Sequence, residues 1–176
     1  MDLFNREIVS YSVSLSPNLE QIREMLNGLF NKLPDGVAPL FHSDQGWQYQ
    51  HAEYQRLLTE HNITQSMSRK WNCMDNGAME NFFGRLKVEM FYGEEFESVD
   101  DFIHELNEYI HYYNNERISS KLKMSPVQQS DLLSGGVCLF SAQNFISVSV
   151  ISAPSDGLYC IITLFSFSVM LKSLPV

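Results

Sequence analysis

The chain has 176 residues, 44% of them hydrophobic and 19% charged, which is typical of a globular protein with one domain or one domain and an appendage. A formal net charge of −9 argues against a protein that binds DNA through a uniformly basic surface. The three cysteines are widely spaced and form no metal-finger pattern, so we expect reduced thiols in a cytoplasmic protein.

The negative charge is concentrated in one segment. Residues 88–116 carry nine acidic residues and no Lys or Arg, whereas residues 1–87 carry ten acids and eight bases. Residues 117–176 carry two acids and four bases. The acidic segment predicts a solvated helix face, and the rest of the chain can still face a phosphate backbone through clustered bases.

The N-terminal elements alternate between strand and helix. Alternating apolar and serine residues predict a strand over the first sixteen residues, with a tight turn at Asn5-Arg6. Residues 16–18 open a helix that ends at the turn 34–36. Leu40–Ser43 is then a short strand that delivers Asp44.

The following elements continue the alternation. A helix is predicted at about 50–60, a strand at 63–67, and a helix that starts near 75–77 and continues to about 90. The acidic segment follows as a helix with its apolar stripe between Val99 and Tyr113. Strands that alternate with helices predict an α/β layer fold.

The composition changes after Leu133. Residues 134–176 contain a single acid and a single base, and the apolar run 158–171 has fourteen residues. A helix needs about 20 residues to span a bilayer, so a membrane partner is not expected. The tail 131–176 is interpreted as out-of-frame or read-through sequence, with a membrane-associated or partner-binding segment and a genuine extension as alternatives.

Two carboxylates stand out because of their settings. Asp44 follows a strand and precedes Gly46, where a side chain can project into a cleft. Glu80 lies in the first turns of a helix, and Gly84 and Lys87 share its face. Phosphodiester chemistry uses such groups, because Mg²⁺ prefers carboxylate oxygens and two ions can activate a nucleophile and a leaving oxygen. By residue type alone, both are better explained as ordinary surface carboxylates.

Five local motifs occur in one order along residues 1–130. They are the hairpin 2–9, the His-Ser-Asp-Gln-Gly-Trp-Gln-Tyr run at 42–49, the Asp-Asn-Gly-Ala-Met-Glu run at 75–80 with its continuation to Glu89, the Tyr-Tyr-Asn-Asn-Glu-Arg run at 112–117, and the Lys-Met-Ser-Pro-Val run at 123–127. This order resembles the catalytic core of insertion-sequence transposases related to retroviral integrases. The 35 residues between Asp44 and Glu80, 45 to 79, match that family's spacing of its second and third catalytic acids.

The resemblance implies a ribonuclease-H-like fold, in which a five-stranded mixed sheet is flanked by helices. Residues 1–130 would be a partial catalytic core that lacks the first, central strand. Asp44 and Glu80 would be the catalytic metal ligands for Mg²⁺ or Mn²⁺. The candidate DNA contacts are Arg69, Lys70, Asn76, Arg85 and Lys87.

The family's first catalytic Asp lies in a Thr-Asp-x-Thr strand upstream of the hairpin, and the resemblance places the start of this sequence after that point. Asp2 matches a different family position. The expected activity is metal-dependent cleavage and transfer of DNA strands, weak or absent in this chain alone. The expected partners are the element's ends, target DNA and further copies of the chain, with no small-molecule substrate.

Several alternatives remain open. Trp47 and Tyr49 either stack on a base or pack inside the protein. Arg117, Lys121 and Lys123 are phosphate contacts or ordinary surface charges. As a whole, the chain is alternatively a non-catalytic partner that regulates full-length transposase, a pseudogene remnant, or a small ribonuclease-H-like nuclease.

Overall fold

The structure is a computed structural model. It describes residues 1–14, 18–34, 36–69, 77–92, 94–119 and 123–134, with residues 131–134 and two later strands described by backbone only. The strands are β1 (Ser12–Ser14), β2 (Leu40–Ser43), β3 (Thr64–Met67), β4 (Phe145–Val148) and β5 (Tyr159–Ile161). The helices are α1 (Leu19–Phe30), α2 (Ala52–Glu60), α3 (Gly77–Leu86), α4 (Val99–Asn115) and α5 (Pro126–Ser134).

The helix starts follow from side-chain caps. The Asn18 side chain accepts a hydrogen bond from Gln21 N at 2.8 Å and begins α1. Ser98 Oγ accepts one from Asp101 N at 3.1 Å and begins α4. Helix α3 continues directly into a π-helical turn, Lys87–Phe91, which the sequence pattern did not predict.

The described strands form two sheets. In the first, β2 is central and pairs in parallel with β3 and with β4, so that Ser43 lies opposite Met67 and Val148. In the second, β1 pairs antiparallel with β5. The expected α/β class holds, but among the described residues the strands form these two sheets rather than one five-stranded mixed sheet.

Two strands of the segment 134–176, β4 and β5, pair with β2 and β1, which the sequence did not predict. Strand β4 lies beside β2 on the side opposite β3, and β5 pairs with β1.

The predicted strand over residues 1–16 is wrong in its extent. Within the described residues it is confined to Ser12–Ser14, although the predicted turn at Asn5-Arg6 is present. The Asn114 side chain bonds both the N–H and the carbonyl of Ile8, and Lys32 donates to the Val9 carbonyl. Side chains therefore satisfy backbone groups that a neighbouring strand would otherwise pair.

Buried side chains form two clusters. The α3–α4 cluster joins the N-terminal turn to α3, the π-helical turn and α4, and Phe82 lies at its centre. The β2 cluster packs α1 and α2 around Phe41 of β2. Ile8 belongs to the first cluster and Val9 to the second, so this segment runs between them. Among the described helices, none is long and apolar enough to cross a membrane.

Candidate functional site

Asp44 is held in a loop that is tied to the end of β3. The Ser43 carbonyl accepts a hydrogen bond from Ser68 N at 2.8 Å, and Gln45 Nε2 donates to the Ser68 carbonyl at 3.1 Å. Ser43 itself is fully buried. The ends of two parallel strands therefore fix the position at which Asp44 leaves the sheet.

The Asp44 carboxylate is half-buried, and its Oδ1 accepts a hydrogen bond from Gly46 N at 2.8 Å. Burial raises the pKa of Asp44, and the hydrogen bond from Gly46 opposes part of that rise. Among the described residues, no cationic side chain forms an ion pair with it. Among these residues, the site therefore holds a partly desolvated negative charge with no paired cation.

Gly46 fits closely against this carboxylate. A Cβ at position 46 would lie 2.9 Å from Asp44 Oδ1 and would also collide with the Gln48 side chain. A side chain there would displace one of the two. Gly46 is consequently required by close approach to Asp44, and its N–H is the group that orients the carboxylate.

Glu80 lies in the first turn of α3 and is partly exposed. Its neighbours Met79, Phe82 and Phe83 are buried in the α3–α4 cluster, which fixes the rotation of the helix about its axis. Gly84, one turn after Glu80, has open space where a Cβ would lie. The helix thus presents Glu80 beside a surface without side-chain obstruction.

Lys87 begins the π-helical turn, seven residues after Glu80. The turn is closed by the hydrogen bond from Tyr92 N to the Lys87 carbonyl at 2.7 Å. Burial lowers the pKa of Lys87, whose side chain is half-buried. An ammonium group at a break in helical geometry is held more firmly than one on an exposed helix face.

The two carboxylates come from different clusters. Asp44 leaves β2 at the edge of the β2 cluster, and Glu80 belongs to a helix of the α3–α4 cluster. In the part of the chain that the structure describes, no group of three or more His, Cys, Asp or Glu side chains is close enough to hold a metal ion. Asp44 and Glu80 therefore supply at most part of a ligand set there.

The chemistry of these two groups fits a divalent cation. Mg²⁺ prefers carboxylate oxygens and retains several waters, so that few protein ligands suffice. The uncompensated charge of Asp44 would be neutralised by such an ion. Mn²⁺ would be held by the same oxygens.

The remaining predicted DNA contacts are placed separately. Arg69 is exposed just after β3, and Arg85 is exposed near the end of α3. Lys70 and Asn76 lie outside the described residues, as does Lys121. Basic side chains therefore border both the Asp44 side and the Glu80 side.

The two aromatic candidates have opposite environments. Trp47 is 56% exposed and remains available for stacking, whereas Tyr49 is fully buried. Tyr49 packs edge-on against Tyr54 in the β2 cluster at a ring distance of 5.3 Å. The stacking alternative is thus wrong for Tyr49, because its ring is core.

Asp2 has a structural role in the N-terminal turn. Its Oδ1 accepts a hydrogen bond from Phe4 N at 2.7 Å, and its carbonyl accepts one from Arg6 N at 3.0 Å. Burial raises the pKa of Asp2. These bonds support the interpretation that Asp2 is not a metal ligand.

An ion pair between distant residues escaped the sequence interpretation. Arg117 binds Glu89 through two hydrogen bonds of 2.5 and 2.7 Å, and Tyr109 donates to the same carboxylate at 3.0 Å. The Arg117 guanidinium lowers the pKa of Glu89. Glu89 lies in the π-helical turn and Arg117 lies 28 residues later, just after α4, so no local pattern could have indicated the pair.

Most of the chain matches known protein families. Two family profiles, both described as integrase core domain, match residues 1–73 and 80–130. Together they include Asp44, Glu80 and the Arg85 to Lys87 region. The integrase core implies a ribonuclease-H-like fold, in agreement with the mixed arrangement of helices and strands.

Individual relatives agree. An uncharacterized transposase-like protein of Haemophilus influenzae is 55% identical over 127 residues, 72% of this chain and 58% of the relative. The putative transposase InsK for insertion sequence element IS150 of Escherichia coli is 50% identical over 129 residues, 73% of this chain and 46% of the relative. The chain spans about half the length of the curated relatives it matches. The chain belongs to the insertion-sequence transposases with an integrase-like catalytic core.

Proposed function

We propose that this chain carries part of the metal site with which an insertion-sequence transposase cleaves and transfers DNA strands. Asp44 and Glu80 are the catalytic carboxylates and the metal ligands. The observation that carries the proposal is the half-buried Asp44, whose carboxylate is oriented by Gly46 and has a pKa raised by burial.

The two carboxylates have distinct tasks. Asp44 is anchored by strand ends and offers an oxygen in a fixed direction, while Glu80 approaches from the start of α3. Bound Mg²⁺ or Mn²⁺ would supply an activated nucleophile, water or a DNA 3′-hydroxyl, and would stabilise the leaving oxygen. Lys87, seven residues beyond Glu80, holds the DNA backbone near this point.

DNA ends and target DNA are the proposed substrates, in line with the names of the related transposases. Arg69, Arg85 and Lys87 contact phosphates, and Lys70 and Asn76 join them by resemblance. Several copies of the chain assemble on DNA. We expect little or no strand transfer by the isolated chain, because two carboxylates alone hold one ion loosely and a third is needed to bridge a pair of ions.

The first test measures metal binding rather than activity. Thermal unfolding of the full chain is followed with and without millimolar Mg²⁺ or Mn²⁺, for the unchanged protein and for Asp44→Asn and Glu80→Gln. We expect a metal-induced rise in Tm that either substitution abolishes. Glu95→Gln is the matched control, because Glu95 is an exposed carboxylate away from both sites. An equal rise in all four proteins would refute the assignment.

The second test measures chemistry. A labelled duplex is incubated with the chain and Mn²⁺, and cleaved and joined strands are quantified. We expect at most traces of product. Efficient joining that disappears in Asp44→Asn would contradict the predicted inactivity while supporting the ligand assignment.

A regulatory role is the second candidate. Strand β3 is an edge of the described three-stranded sheet, and large apolar side chains are exposed at Val88, Tyr92 and Ile118. Such features favour association with further copies of a similar chain. A tagged chain should then retain full-length transposase on a column, and its recovery in the flow-through would exclude this role. A mere pseudogene remnant should instead yield no folded protein in cells.

A further inference from the structure

A small cavity opens where the N-terminal turn, the end of α3 and the segment after α4 meet. Its volume is about 40 Å³, and it is open to solvent on one side. Eight residues line it, namely Asn5, Arg6, Arg85, Tyr113, Arg117, Ser119, Met124 and Pro126. We call this cavity the arginine pocket.

The three arginines reach the pocket from separate elements. Arg6 lies in the N-terminal turn with φ of 70°, Arg85 in the last turn of α3, and Arg117 just after α4. Their proximity is reflected in Tyr113, whose pKa is raised by burial while all three guanidiniums oppose the rise. The fold therefore gathers like charges that are far apart along the chain.

Three carboxylates lie near this cluster: Glu89, Glu7, which accepts a hydrogen bond from Asn5 Nδ2 at 3.1 Å, and Asp2, whose pKa the charge of Arg6 lowers. Glu89 binds Arg117 through two hydrogen bonds and also accepts one from Tyr109. Within the described residues, neither Arg6 nor Arg85 forms an ion pair, and both are exposed. The guanidinium groups of Arg6 and Arg85 therefore stay outside the ion pairs of the described residues, in a chain whose total charge is −9.

The pocket is firmly built. Asn5 is 1% exposed, and its Nδ2 donates to the Pro126 carbonyl at 3.2 Å and to Ser130 Oγ at 3.0 Å. These bonds connect the turn that carries Arg6 to the start of α5. Glu89 similarly fixes Arg117. The turn that carries Arg6 and the guanidinium of Arg117 are thus positioned before any ligand binds, which reduces the entropy lost on binding.

We propose that the arginine pocket binds a phosphodiester group of the DNA backbone, at a point separate from the metal site. Guanidinium groups present paired donors that match phosphate oxygens. Arg85 follows Glu80 by five residues, which places it about 7.5 Å further along α3 and about 140° around the helix. The bound phosphate is therefore not the one at Asp44 and Glu80. This inference rests on the proposed function, because it takes DNA as the ligand.

The test measures DNA binding without metal. A fluorescent 30-base-pair duplex is titrated with the full chain in EDTA at several salt concentrations. The variants are Arg6→Gln, Arg85→Gln and the double substitution. Arg117 is left unchanged, because its removal would also leave Glu89 without its partner. Arg56→Gln is the control, since Arg56 is an exposed arginine of α2 paired with Glu60.

We expect each single substitution to weaken binding roughly tenfold, as the loss of one charge-assisted contact does. The slope of log K against log salt should fall by about one per substitution. Arg56→Gln should change neither quantity. An unchanged affinity and slope in the double variant would overturn the proposal, as would an unchanged protein that binds no duplex at all.

Two further measurements are needed. One distinguishes free phosphate from DNA as the ligand, and the other distinguishes the arginine pocket from the proposed metal site. If Arg6→Gln and Arg85→Gln abolish the binding of inorganic phosphate but leave duplex binding unaltered, the ligand is a free phosphate and the DNA assignment is wrong. Failure of metal binding at Asp44 with a clear effect of Arg85→Gln would refute the proposed function's metal site and leave the pocket intact.

Discussion

The Asp44 region and the Glu80 region hold their carboxylates by different means. Asp44 is fixed by tertiary hydrogen bonds between two strand ends and by the close approach of Gly46. Glu80 is placed by the rotation of α3, whose opposite face is buried. At the strand end, the carboxylate points in a fixed direction but is partly buried. On the helix, the carboxylate is more exposed, and its position depends only on how the opposite face of the helix packs. The two regions should therefore respond differently to substitution.

The largest expected effect tests whether the two clusters unfold together. Phe82 in the α3–α4 cluster is 1% exposed and packs against Phe83 and Tyr113, and Leu26 in the β2 cluster is fully buried. Phe82→Ala should lower the free energy of unfolding by about 3–5 kcal/mol and Leu26→Ala by about 2–5 kcal/mol, because each leaves a cavity. Urea unfolding followed by circular dichroism measures both.

A single transition that shifts in both variants would show one cooperative unit. Two transitions, each sensitive to one substitution, would divide the clusters into independent units. Phe4→Ala is the control, since Phe4 is 57% exposed and its loss should change stability by less than about 0.5 kcal/mol.

Two glycines offer the next contrast. Gly46→Ala should lower the free energy of unfolding by about 1–3 kcal/mol, because the new Cβ collides with Asp44 and Gln48. Gly84→Ala should raise it by about 0.5–1 kcal/mol, since alanine favours a helix and nothing occupies the space. Urea unfolding and the Mn²⁺-induced change in Tm are measured for both. If the Mn²⁺-induced change in Tm were lost in Gly84→Ala and kept in Gly46→Ala, the expectation that the Asp44 loop is the more sensitive of the two regions would be wrong.

The same contrast separates what the sequence could predict from what it could not. Leu40–Ser43 and the buried stripe of α4 were predictable, because local periodicity reports which face of an element is buried. The loop around Asp44 was predictable only through its family motif. The bonds from Ser68 that fix this loop come from another strand, and no local pattern encodes them.

Failures of prediction have a common physical cause. Residues 8–9 have a strand-like sequence, yet the side chains of Asn114 and Lys32 bond their backbone instead. The arginine pocket likewise depends on Arg6, Arg85 and Arg117 meeting across the fold. Each case concerns contacts between residues distant along the chain, whereas propensity and periodicity describe neighbours.

A smaller effect should distinguish Asp44 from an ordinary surface acid. Asp44→Asn should raise the free energy of unfolding by about 0.5–2 kcal/mol without divalent metal, because it removes a partly buried charge while an amide oxygen can still accept from Gly46. The raised folded-state pKa means that the native state binds the proton more tightly than the unfolded state. Stability of the unchanged protein should therefore fall as pH rises through this pKa, and the variant should lack that fall. A variant less stable than the parent in EDTA would contradict the uncompensated charge.

Glu89 on the helical side should show the opposite dependence on pH. Arg117 lowers its folded-state pKa, so its contribution is present above its unfolded pKa of about 4.3 and is lost as pH falls through the lowered value. Glu89→Gln should thus destabilise the protein by about 1 kcal/mol at pH 7 and have little effect near pH 3. Glu60→Gln, which breaks a more exposed pair with Arg56, should cost less than about 0.5 kcal/mol. Urea unfolding at both pH values measures the difference. Equal effects of the two substitutions would mean that Glu89 is only another surface charge, and that Arg117 lacks the fixed position on which the arginine pocket depends.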